Sequence, residues 1–180
     1  PELYTQGMLK SVLIISPPGC GKTTLLRDLI RQISDGNAWG RGMTVGVVDE
    51  RSELAGAFLG RPQNDMGMRT DVLDGCPKET GMLLLLRSMS PQVIAIDELG
   101  SDGELRALGQ ASACGCRILA TVHGESREDV ERRFGREPAF WERMFDLFLL
   151  LGREKGKCVI KQIEKRGERH VQNSGRLYDF

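Results

Sequence analysis

The chain of 180 residues carries 25 Lys and Arg against 25 Asp and Glu. That formal charge of zero argues against a protein built mainly to coat nucleic acid. With 40% apolar and 28% charged residues the composition is that of a folded domain, long enough for one α/β unit with a full core and short for two. Apolar runs such as Val12–Ile15 and Met82–Leu86 are too short to cross a bilayer.

In chain order, short apolar runs alternate with longer helical stretches, the pattern of βαβ units and a parallel sheet. Val12–Ile15 reads as a strand and Thr23–Ile33 as a helix, stopped by Ser34-Asp35-Gly36-Asn37. Thr44–Val48 is the second strand. A long polar stretch from Asp49 to Glu79 follows, with helical hints only near Glu53–Leu59, and loops of such length tend to be functional. Glu79–Met89 reads as a helix, Val93–Ile96 as a strand, Glu104–Ala113 as a helix and Arg117–Val122 as a strand. Arg127–Phe134 and Pro138–Phe145 read as helices, the latter with proline at its first turn. Leu147–Leu151 and Cys158–Ile163 read as an antiparallel hairpin, and the residues after 165 as a polar tail. The five cysteines, Cys20, Cys76, Cys114, Cys116 and Cys158, have no paired or zinc-type spacing and read as free thiols of a reducing cytosol.

The strongest signal is Ser16-Pro17-Pro18-Gly19-Cys20-Gly21-Lys22-Thr23, set between the first strand and its helix. A phosphate-binding loop needs that place, because backbone N–H groups and the helix N-terminus meet the anion there. Gly19 and Gly21 let the backbone curl round the phosphates, Lys22 reaches the β/γ oxygens, and Thr23 offers a hydroxyl to Mg²⁺. The expected ATP contacts are Pro18, Gly19, Cys20, Gly21, Lys22, Thr23 and Thr24. Ser16 stands where the strict pattern has glycine, and Cys20 is either oxidation-sensitive or a space-filler.

Val93-Ile94-Ala95-Ile96 ends in Asp97-Glu98. In P-loop enzymes such an aspartate holds Mg²⁺ through water, and a following glutamate orients and deprotonates the attacking water. Asp97 is therefore expected to join Thr23 at the metal, and Glu98 to be the base. The other strands also end in polar residues, Asp49-Glu50-Arg51 and His123-Gly124, where an open parallel sheet binds ligands. Asp49 and Glu50 either polarise water and position Mg²⁺ or pair with Arg51. His123 either senses the γ-phosphate or caps its strand. Arg51, Arg61, Arg69 and Arg87 are candidates for an arginine that reaches a neighbour's γ-phosphate.

Together ISPPGCGKTTLLRDLIRQ (15–32), VVDERSELAG (47–56), QNDMGMRTDVLDGCPKETGM (63–82), RSMSPQVIAIDELG (87–100) and ATVHGES (120–126) resemble the secretion-type ATPases of type II and type IV systems. Within these the chain is similar to the stage III sporulation AA family of endospore-forming bacteria. By this resemblance Asp49-Glu50 correspond to an acidic box, Asp97-Glu98 to Walker B and His123 to a histidine box. The chain departs from many secretion ATPases at Asp97-Glu98-Leu99-Gly100-Ser101, which lacks their arginine. The resemblance implies a hexameric ring and an N-terminal domain closing over the nucleotide. It also implies membrane-embedded secretion or sporulation channel proteins as partners. The setting would be cytoplasmic and peripheral at the membrane, on the mother-cell side of the forespore membranes.

The expected fold is thus a RecA-like α/β P-loop core with a mainly parallel sheet and a C-terminal antiparallel hairpin. Residues 1–165 form the ATPase domain and 166–180 the tail, with a native N-terminal domain expected ahead of Pro1. The expected activity is Mg²⁺-dependent ATP hydrolysis, with Glu98, Glu50 and His123 as catalytic residues and no specific nucleic acid as partner. Two alternatives remain open from the residues. One is a small nucleoside triphosphatase or phosphotransferase, with Arg61–Arg69 as its lid; the other is a nucleic-acid-stimulated ATPase of the helicase kind.

Overall fold

The computed structural model describes residues 1–167, so most of the expected tail lies outside the described residues. Two small antiparallel ribbons, β1 (Tyr4–Thr5) with β2 (Met8–Leu9) and β4 (Gly36–Asn37) with β5 (Gly40–Arg41), flank the main body. The main sheet comprises β3 (Val12–Ser16), β6 (Val45–Asp49), β7 (Thr70–Asp74), β8 (Val93–Ile96), β9 (Arg117–His123), β10 (Leu147–Glu154) and β11 (Lys157–Lys165). Its order is β11-β10-β3-β9-β8-β6-β7, parallel throughout except for the β10–β11 hairpin. The helices are α1 (Lys22–Asp35), α2 (Lys78–Ser88), α3 (Asp102–Ala113), α4 (Arg127–Arg133) and α5 (Pro138–Met144). The α/β class, the parallel sheet and the C-terminal hairpin are as the sequence implied.

The core divides by the period of two along the strands. Val12 and Ile14 point to the face covered by α1, where Leu25, Leu26, Leu29, Ile30 and Ile33 form the helix's apolar stripe. Leu13 and Ile15 point to the other face, packed with Met82, Leu85, Leu105, Leu108 and Trp141 from α2, α3 and α5. Because both faces are covered, the central strands read as unbroken apolar runs.

Helix ends follow local chemistry. The Ser101 hydroxyl accepts from the Glu104 amide at the start of α3, and Ser126 accepts from Asp129 at the start of α4. Gly21 precedes α1 at φ 80, a left-handed conformation that suits glycine and lets the loop turn straight into the helix.

The segment between Asp49 and Glu79 departs from expectation. No helix forms over residues 53–59, and Thr70–Asp74 is a parallel strand beside β6. Asp49 decides the first point: its buried carboxylate accepts the amides of Glu53, Leu54 and Ala55 at 2.9, 3.0 and 2.8 Å, which winds the chain round it. Arg27 donates to the carbonyls of Leu54 (2.6 Å) and Glu53 (2.7 Å), pinning that turn against α1. The second point is an edge effect. With a single neighbour, β7 tolerates Thr70, Asp71 and Asp74, and those polar residues hide a strand that buries only part of Val72 and Leu73.

Candidate active site

Every parallel strand delivers its last residues to one edge of the sheet, and α1 starts there. The loop between β3 and α1 curls through Gly19 (φ 72) and Gly21 (φ 80). Pro18, Gly19 and Thr24 are exposed, whereas Cys20 turns inward and fills space in the core beneath α1. Its thiol belongs to the packing. All five cysteines are free.

Lys22, 4% exposed, folds back into the loop. Its ammonium donates to the Ser16 and Pro17 carbonyls at 3.4 Å each and to His123 Nδ1 at 2.9 Å. Burial holds this ammonium below the usual lysine range, and Glu98 and Asp97 pull the other way. Since a lysine ammonium only donates, Nδ1 accepts and the imidazole proton sits on Nε2. That nitrogen meets Glu98 Oε1 at 2.8 Å. Lys22, His123 and Glu98 therefore form one continuous chain from the β3–α1 loop to the carboxylate expected to act as base.

Thr23 Oγ1 donates to Asp97 Oδ2 at 2.6 Å, and the other Asp97 oxygen accepts from the fully buried Thr121 hydroxyl. The same hydroxyl accepts the Glu98 amide at 2.8 Å. Glu98 has φ 56, uncommon for a residue with a side chain. Its backbone is tied at both ends, since the Lys78 ammonium donates to the Glu98 carbonyl at 2.6 Å. Its second carboxylate oxygen meets Arg51 at 3.1 Å. Glu50 approaches Lys78 at 3.7 Å rather than Glu98.

The structure thus brings Lys22, Thr23, Asp97, Glu98 and His123 together and sets Glu50 at the margin, against Lys78. Asp49 faces the turn that follows it, whose three amides reach both carboxylate oxygens, and Arg51 pairs with Glu98 instead. Of the four arginines singled out, Arg51 reaches the site. Arg69 donates to the Ser34 carbonyl near the C-terminus of α1, at the opposite end of the sheet, and Arg87 lies in the last turn of α2.

Sequence reasoning missed Thr121, Lys78 and Arg153. Thr121 lies two residues before His123 on one strand, so period-two alternation puts both on the same face and could have found it. Lys78 has no such signal. Arg153 of β10 donates to the Gly19 carbonyl at 2.8 Å, which lays the C-terminal hairpin against the phosphate loop.

Beside Glu98 and His123 opens a cavity of about 700 Å³, lined also by Glu50, Arg51, Lys78 and Glu104. A larger open cavity of about 1380 Å³ lies at the far end of the sheet among Trp39, Arg41, Arg69 and Arg117, remote from these groups. Its size carries no chemistry.

The family model described as Sporulation stage III, protein AA matches residues 1–170. The chain belongs to that family. Stage III sporulation protein AA of Bacillus subtilis (strain 168) is 44% identical over 163 residues, 91% of this chain and 53% of that protein. Among solved structures, the Legionella pneumophila ATPase DotB matches with a TM-score of 0.66 at 16% identity, covering 92% of this chain and 47% of that one. The VirB11 ATPase from the Brucella suis type IV secretion system, solved with sulphate, matches at 0.64 and 18%, covering 87% and 48%. The chain spans about half the length of each of these three. Identities this low show the fold, that of P-loop ATPases, and the family membership rests on the sequence match. No helix among the described residues is long and apolar enough to cross a membrane.

Proposed function

We propose that this sporulation-family chain is the motor domain of a Mg²⁺-dependent ATPase that energises a secretion-like channel between mother cell and forespore. The observation that carries the reading is the continuous contact from Lys22 through His123 to Glu98, beside the Thr23–Asp97 pair. A phosphate loop joined to a carboxylate that faces a water-accessible cavity is suited to hydrolysis.

Thr23 and Asp97 fit a magnesium ion: a hydroxyl and a carboxylate lie 2.6 Å apart at the head of α1. Mg²⁺ there would neutralise charge on the β- and γ-phosphate oxygens. Lys22 and the backbone N–H groups from Gly19 to Thr24 hold the phosphates, while Pro18, which has no N–H, lines the loop. Glu98 orients the water and takes its proton as the oxygen bonds to the γ-phosphorus and ADP leaves. His123 Nε2–H keeps the Glu98 carboxylate oriented. When phosphate draws Lys22 away from Nδ1, His123 passes that change on, and Glu50 supports the arrangement through Lys78.

In this reading the chain works with copies of itself in a ring, with the channel's membrane proteins as partners, in the mother-cell cytoplasm and peripheral to the membrane. The test is ATP turnover and nucleotide binding by the full-length protein. Glu98→Gln is expected to keep ATP affinity and lose on the order of 10²–10⁴-fold in turnover. Wild-type hydrolysis in that variant would sink the assignment.

A further inference from the structure

Lys78 sits where simple electrostatics disfavours a cation. It is the first residue of α2, at the positive end of the helix macrodipole. It is also buried to 9% exposure, which strips water from an ammonium. Three oxygens offset these costs: the Glu98 carbonyl at 2.6 Å, Glu50 at 3.7 Å and Glu104 at 4.0 Å. The shortest contact is to the backbone of a residue in the left-handed region, Glu98 at φ 56.

A left-handed residue with a side chain persists only where its surroundings hold it. Here the Thr121 hydroxyl holds the amide and Lys78 holds the carbonyl, and between them they fix both peptide planes that flank Glu98. The direction of the Glu98 Cα–Cβ bond follows from those planes, and with it the placing of the carboxylate against His123 and Arg51. Glu50 and Glu104 come from the end of β6 and from α3, so Lys78 also ties three elements to that one carbonyl.

We propose that Lys78 is a positioning residue of the hydrolytic site, holding the Glu98 carbonyl so that the carboxylate faces the water it activates. The inference rests on the reading of Glu98 as the base. It gives Glu50 its task as well, that of a counter-charge keeping Lys78 in place.

The test compares Lys78→Met, Lys78→Arg, Glu98→Gln and the double variant Lys78→Met/Glu98→Gln on the full-length protein. The readouts are kcat, the affinity for a fluorescent ADP analogue and the urea midpoint. A displaced catalytic group costs on the order of 10²-fold, so Lys78→Met is expected to lose about that much kcat with nucleotide affinity unchanged. Lys78→Arg, which keeps the charge and shifts the donors, should fall between Lys78→Met and wild type. Because Lys78 acts through Glu98, the double variant should turn over no more slowly than Glu98→Gln alone. Wild-type kcat in Lys78→Met, equal losses of kcat and affinity, or a further fall in the double variant overturns the proposal. Should Lys78→Met fail to fold, Lys78→Arg decides, and wild-type kcat in it is equally fatal. Active Glu98→Gln would instead overturn the underlying assignment, a result distinct from any of these.

Discussion

Thr121 offers the sharpest test of how the fold builds the site. Its hydroxyl is fully buried, donates to Asp97 and accepts the Glu98 amide at 2.8 Å. Thr121→Val exchanges that hydroxyl for a methyl of nearly the same size. A hydrogen bond to a charged group is worth about 1.5–3 kcal/mol, and an orphaned buried N–H costs about 1–3 kcal/mol. The added apolar methyl returns about 0.8 kcal/mol. The expected loss is therefore about 2–5 kcal/mol, read as a fall of about 1–2.5 M in the urea midpoint for a slope near 2 kcal/mol per M. Thr121→Ser keeps the hydroxyl and drops a methyl, and should cost only about 1 kcal/mol. Turnover in the valine variant should fall further than nucleotide affinity, because the freed amide belongs to Glu98 and not to the phosphate loop. If valine costs no more than serine, the bridge contributes nothing and the account of how Glu98 is held fails.

Asp49→Ala removes the acceptor of three backbone amides, two of the bonds buried, and should cost about 3–5 kcal/mol. The 53–69 segment should become sensitive to limited proteolysis; a protease-resistant, fully stable variant would mean that the turn holds without its carboxylate. Burial raises the Glu164 carboxyl above its ordinary value of 4.5, Arg127 opposes this, and Glu128 and Glu131 add to it. An acid whose pKa is raised on folding loses stability as pH climbs through the carboxylate range. Glu164→Gln should therefore be more stable than wild type at neutral pH, with the gain fading as the pH falls through the raised carboxyl pKa toward 4.5 and lost below it. A gain that stays constant across pH, measured by urea denaturation, would rule out titration of Glu164 as its source.

The α/β alternation, the covered parallel sheet and the places of Lys22, Thr23, Asp97, Glu98 and His123 were legible along the chain. Each lies at a strand end or at the head of α1, where the chemistry is local: apolar runs specify buried strands, and the glycines of one short loop specify the turn that leads into the helix. Three features came only with the packing of the layers. It made Thr70–Asp74 a strand, because an edge position needs little apolar surface. It set the Asp49 carboxylate against three amides of the following turn, because those amides lie in the segment that packs against α1. And it placed Lys78 and Thr121 on either side of Glu98, from elements 20 and 23 residues away. Such contacts are set by how layers stack, and no periodicity along the chain encodes which side chain will meet a given backbone carbonyl.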